Sequence, residues 1–264
     1  MFQVASMVLK KSVCLFVLSL GLLPAASAES NWMDRAFSIF KSSGGEEVVK
    51  DRFSDAAELG KALREALAVS AERALTSLSQ KGGFAESKNY RIPLPAAVEK
   101  LRKPLALVKQ DYRLDDFRAT MNAAAEAGVA AAPGIVKNTI NNLTLEDLNT
   151  LWKGESDAIT RFLEKRARGK LAGKMRPLIA KATDSSGATR SYKALLDAVP
   201  ESGGGLFSKF QSFPGIGVSD FDLDDYVNEK ALDALFAAMA AEEKALRENP
   251  MARSTDLLKQ LFGD

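Results

Sequence analysis

Apolar residues recur along this chain at steps of three and four, and that spacing limits its fold more than any other feature. Leu59, Leu63, Leu67, Ala71, Leu75 and Leu78 form one such run, with Lys61, Arg64, Glu65, Glu72 and Arg73 on the other side. Leu223, Val227, Ala231, Leu235 and Met239 form a second at strict i+4 spacing, widened by Leu232 and Phe236. No stretch alternates with period two for long enough to make a strand. Stripes of this kind are buried by packing helix against helix. The expectation is an all-α fold, a single multi-helix bundle-like domain of about eight to ten helices. No fixed-period repeat suggests a solenoid.

Punctuation divides the pattern. Asp55 followed by Glu58 reads as a capping box opening the first helix, and Gly82-Gly83 closes it. Pro93-Leu94-Pro95 marks the next entry, and Pro104 is expected to kink or split the helix carrying Val98, Leu101, Leu105 and Val108. Leu114–Ala131 and a short helix from Pro133 follow. Thr144 is placed as an N-cap, with Glu146 and Asp147 against the helix dipole, for a helix ending near Gly154. A long helix from about Ser156 to Thr183 contains Gly169, Gly173 and Pro177 and is expected to bend or break. Ala188–Val199 is next, then a loop rich in Gly, Ser and Phe over 200–218. Asp222 caps the clearest helix, Asn249-Pro250 stops it, and a last helix covers Thr255–Phe262.

The first residues read as an address. Lys10 and Lys11 precede the apolar run Val13–Leu23, and Ala26-Ser27-Ala28 is a small-x-small cleavage pattern. The run falls short of the roughly 20 residues a membrane span needs. Cys14 lies inside it and does not follow a small-residue box, so lipid attachment is not expected. The reading is a signal peptide over 1–28, an N-terminal arm over 29–54 bearing Trp32, Phe37, Ile39 and Phe40, and an all-α domain over 55–264. The expected location is the bacterial periplasm.

Cleavage there removes the only cysteine, and the chain has no histidine. It also removes two of 36 Lys and Arg, which leaves them level with the 34 Asp and Glu. A balanced chain has no global field to steer nucleic acid, and none is expected as a partner. Without cysteine no disulfide can form, so stability has to come from the core. A chain of this size buries roughly 70% of its unfolded surface. Imidazole bases, Ser-His triads, thiolate nucleophiles and His or Cys metal sites are excluded. Carboxylate pairs, Ser-Lys dyads and tyrosine remain, and spacing marks none of them. No catalytic residue and no cofactor is assigned.

Three clusters are candidates for contact. Asp220, Asp222 and Asp224 match positions 1, 3 and 5 of a calcium loop, but Asp225 stands where glycine belongs and Ala231 where the bidentate glutamate belongs. The competing reading is a helix cap with acids against the dipole. The stretch Arg161–Arg176, including Lys165 and Arg168, reads either as an anion or lipid-headgroup site or as a solvated face paired with acids elsewhere. Phe207 and Phe210 sit in a glycine-rich loop that lacks a phosphate-loop ending. They enter a membrane, form a lid or fold back on the bundle.

Several segments are familiar as an ordered set. They are Ile92-Pro93-Leu94-Pro95, the stretch Phe117–Glu126, Phe221-Asp222-Leu223-Asp224-Asp225-Tyr226-Val227, Lys230–Phe236, Glu242-Glu243-Lys244 and Asn249–Leu258 followed by Lys259. With them the chain resembles the bacterial domain of unknown function 4197 family, from about Asp55 to Gly263. The resemblance implies an exported α-helical protein and brings no activity or site residues. The expectation is a non-enzymatic periplasmic binding or scaffold module, touching a lipid, an apolar ligand or an envelope protein through a groove between helices. The alternatives are an enzyme using carboxylates or a Ser-Lys pair, and a calcium-stabilised envelope domain.

Overall fold

The computed structural model describes residues 52–144, 151–198 and 221–263. The first helix, α1 (Ala56–Ser79), begins where its sequence requires. The Asp55 carboxylate accepts the Glu58 N–H at 2.8 Å. Glu58 reaches back one residue further than a standard capping box, to the Ser54 N–H and hydroxyl at 2.7 Å each. All six apolar residues of its stripe are buried.

The split expected around Pro104 is present. Short helices α2 (Ala96–Glu99) and α3 (Arg102–Leu107) replace one longer helix, with Pro104 in the first turn of α3, where its missing N–H costs nothing. Next come α4 (Tyr112–Ala130) and α5 (Pro133–Asn141), the latter opened by its proline. The helix expected after Thr144 falls mostly outside the described residues.

Of the bend or break expected in the long helix, the break does not occur. Helix α6 runs without interruption over Ala158–Ser186, with Pro177 inside it. Gly173, the residue whose carbonyl Pro177 leaves unbonded, is exposed, and so is Pro177. The freed carbonyl therefore faces water. Meanwhile Leu163, Ala167, Leu171, Met175 and Ile179 bury one continuous i+4 ridge on both sides of the proline. The chain turns at Gly187, whose φ of 82° suits glycine, directly into α7 (Ala188–Asp197). Helix α8 (Leu223–Glu248) is capped by Asp222 through the Asp225 N–H and stops at Asn249. A 3-10 turn (Pro250–Ala252) and α9 (Asp256–Phe262), capped by Thr255, complete the order.

The architecture is all-α, and no strand occurs among the described residues. Within the compact unit Glu47–Asp264, the four long helices form a ring. Helix α1 packs on α4, α4 on α6, α6 on α8, and α8 back on α1. Helix α5 leans on α1 and α6, α7 on α4 and α6, and α9 on α1. The centre is filled by Leu63, Leu67, Phe117, Met121, Leu171 and Leu235 with their neighbours, all within 1% of full burial. At the α4–α6 contact Gly128 brings the backbones close, since a Cβ there would lie 2.2 Å from Ile179 Cδ1. Rings of Phe117, Tyr192, Phe221 and Tyr226 follow one another at 5.2, 5.4 and 5.6 Å, tying α4 to α7 and α8.

Candidate functional site

Several of the ordered motifs meet in space, and a number of their polar side chains serve backbone. Asn122 on α4 accepts the Ile92 N–H at 2.8 Å and donates to the Ile92 carbonyl at 3.0 Å, clamping the Ile-Pro-Leu-Pro segment. The Tyr226 hydroxyl donates to the Pro93 carbonyl at 2.9 Å. One oxygen of Glu126 accepts the backbone N–H groups of Gly82, Phe84 and Ala85 at 3.1–3.2 Å. Together these three side chains hold the turn-rich connection 80–95 against the ring.

A second network lies at the other end of α8. Glu243 is 1% exposed, and its Oε2 accepts the Thr160 N–H and hydroxyl at 2.7 Å each. Its Oε1 accepts the Ile159 N–H at 3.2 Å and two donors of Arg247 at 3.0 and 2.9 Å. A carboxylate from inside α8 thus caps the start of α6, whose own N-cap Asp157 makes no side-chain cap bond. Arg247 also donates to the Trp152 carbonyl at 3.2 Å and lies 5.0 Å over the Phe262 ring. The Trp152 indole donates to the Leu261 carbonyl at 2.9 Å and meets Phe53 edge-on at 5.7 Å. The most buried carboxylate among the described residues is therefore fully engaged in structural bonds. Periodicity carried a signal for it, because Glu243 continues the i+4 stripe of Leu235 and Met239.

Three cations of the basic stretch, Arg161, Arg168 and Arg176, are met by acids. Arg161 pairs with Glu155 and Asp157 at 3.1 and 2.9 Å. Arg168 bonds Glu164, Glu229 and Asp233 at 2.7, 2.8 and 2.5 Å. Burial opposes its charge, but the hydrogen bonds it donates to the three carboxylates outweigh that and hold the guanidinium more firmly protonated than usual. Arg176 bonds Asp222 at 2.6 Å and Asp225. Lys165 is exposed. The structure does not bring Lys165 into the Arg168 cluster. Such pairs are part-solvated and each contributes little on its own, and those of Arg168 and Arg176 to Glu229, Asp233, Asp222 and Asp225 join α6 to α8.

The acids proposed for calcium are occupied by the same contacts. Asp222 caps α8 and pairs with Arg176. Asp224 accepts the Thr183 hydroxyl at 2.5 Å. Asp220, Phe207 and Phe210 lie outside the described residues. Among the described residues no group of three or more His, Cys, Asp or Glu could hold a metal ion. No described helix is long and apolar enough to cross a membrane.

A groove of about 520 Å³ between α1, the end of α4 and α5 offers room for a ligand. Ala68, Ala71, Ala130 and Pro133 keep its walls low, and Leu75 and Val129 form its floor. Glu72, Thr76 and Lys137 supply polar groups at its lip. Sequence reasoning anticipated a groove between helices and assigned none of these residues. They look like ordinary members of separate stripes until α1 and α5 are placed side by side.

A family model matches residues 54–263 and is described as a protein of unknown function, DUF4197. The chain belongs to the DUF4197 family. The DUF4197 match spans the ring, the clamped 80–95 connection and the Glu243 network. No curated protein matches the chain, and no solved structure does.

Proposed function

We propose that the chain is a non-enzymatic binding module of the bacterial envelope that holds an apolar chain, such as a fatty-acyl chain, in the groove between α1, α4 and α5. The groove carries this reading. Its volume, about 520 Å³, lies in the ordinary range for small-molecule sites, roughly 300–1,000 Å³. Its lining is mostly apolar with a few polar groups at one edge, the usual composition of such a site. Lys137 is exposed at the lip and suits an anionic head group, while the alanine walls leave room for methylenes. The engagement of Glu243 in caps, and of Arg161, Arg168 and Arg176 in ion pairs, supports binding over catalysis. Export follows from the leader reading and belongs to the same proposal.

The test is titration with a long-chain fatty acid, followed by displacement of an environment-sensitive fatty-acid probe. Ala68 is exposed, so Ala68→Trp fills the groove without entering the core. It is expected to weaken binding at least tenfold with an unchanged melting temperature, and Lys137→Glu is expected to weaken binding of the anionic ligand selectively. Unaltered affinity in Ala68→Trp, or no binding of fatty acid to the wild-type chain, overturns the reading.

A further inference from the structure

Among the described residues, the large apolar side chains left in solvent are Leu107, Val108, Tyr112 and Met251, and the first three share one turn. That turn joins α3 to α4. The Lys109 N–H donates to the Ala106 carbonyl at 3.1 Å and the Gln110 N–H to the Leu105 carbonyl at 2.9 Å. This is the Schellman ending of a helix, which ordinarily places glycine at the left-handed residue. Here that residue is Lys109, with φ of 61°, the one non-glycine residue with positive φ among the described residues. The residue after it, where an apolar group usually folds back on the helix, is Gln110. Leu107 stands 87% exposed and Tyr112 52% exposed.

The charge around this tip is one-sided. Residues 100–113 hold Lys100, Arg102, Lys103, Lys109 and Arg113 against Asp111 alone. Arg102 is taken up by Glu99 and Asp115. Lys103 and Lys109 are exposed. Arg113 donates to Gln110 and lies 5.5 Å over the Tyr112 ring, with no carboxylate bonded to it.

We propose that this turn seats the protein on an anionic lipid surface. Leu107 and Val108 enter the acyl boundary, Tyr112 lies at headgroup depth, and Lys103, Lys109 and Arg113 meet lipid phosphates. Lysine beside leucine distinguishes a lipid surface from a protein partner. Protein interfaces are depleted of lysine, whereas an interfacial anchor sets basic residues around leucine and aromatic side chains. A lysine kept in a conformation that favours glycine is consistent with a position chosen for its charge rather than for the fold. The inference stands apart from the groove and does not depend on what fills it.

The experiment uses the full chain with Cys14→Ser and a single nitrobenzoxadiazole reporter at Leu107→Cys. A second protein carries the reporter at Lys244→Cys, an exposed site on α8. Each is mixed with phosphatidylethanolamine–phosphatidylglycerol vesicles and with phosphatidylcholine vesicles. The 107 reporter is expected to shift to the blue on the anionic vesicles only, and the 244 reporter is expected to stay unshifted on both. Each lysine near an anionic surface contributes about a fivefold factor, so Lys103→Glu with Lys109→Glu should weaken the apparent affinity by at least about 25-fold. Lys109→Gly should weaken it about fivefold while raising the melting temperature, because glycine suits that φ. No shift at 107, an equal shift at 244 or on phosphatidylcholine, or an affinity indifferent to Lys103 and Lys109 overturns the proposal.

Discussion

Replacing Glu243 by glutamine tests whether the buried carboxylate organises the junction of α6 and α8. The change conserves shape and removes one charge. In the wild-type protein five donors converge on its two oxygens, from Ile159, Thr160 twice and Arg247 twice. A glutamine amide has one acceptor and one donor end, so either orientation turns N–H groups toward other donors. Arg247, whose side chain is only 13% exposed, also loses its counter-ion. Breaking a buried pair from one side costs about 3–5 kcal/mol. For a domain of this size that corresponds to a melting temperature lower by about 6–20 °C, at roughly 2–4 °C per kcal/mol. The assay is thermal unfolding followed by far-ultraviolet circular dichroism, with urea unfolding as a second measure. Glu243→Leu combined with Arg247→Met should cost less than the two single changes added, because the lone buried charge is gone. A loss under about 1 kcal/mol for Glu243→Gln, the size of an ordinary neutral hydrogen bond, would refute the reasoning.

Two further outcomes follow from helix packing and titration. Gly169 and Gly173 sit in the middle of α6 with open space where a Cβ would go, so alanine at either position should stabilise by about 0.5–1 kcal/mol in chemical denaturation. Gly128→Ala should instead destabilise by about 1–3 kcal/mol through Ile179, and Ile179→Val, which removes the clashing Cδ1, should recover part of that loss. The Asp225 N–H and Arg176 hold the Asp222 carboxyl below its usual range. At Asp233 burial acts the other way, but hydrogen bonds from Lys230 and Arg168 prevail and the shift is also downward. Depressed folded-state values mean that this stabilisation is complete above the ordinary carboxylate range and is lost as pH falls through them, below about 4. Burial raises Tyr192 and Tyr226, so their contribution is complete below the ordinary phenol value and is lost as pH rises beyond about 10. With no histidine in the chain, melting temperatures should be level between about pH 5 and 9, and a step inside that window would contradict the account.

What the sequence determined by itself was local. Helix identity, caps and stops follow from spacing and punctuation within a few residues, which is why Asp55, Pro133, Asp222, Asn249 and Thr255 all act where their positions predict. Pro177 shows the limit of a local reading: it leaves α6 unbroken because the continuous ridge Leu163–Ile179 packs against the neighbouring helices on both sides of it. Which charges meet was decided only by tertiary structure. Arg168 finds Glu229 and Asp233 because α8 lies beside α6, and no pattern within either helix specifies that register. The groove exists because α5 returns along α1, and the apolar turn at Leu107 stands out because nothing folds back over it. A helical stripe states that a face must be covered, but only the packed ring decides what covers it and which face is left open.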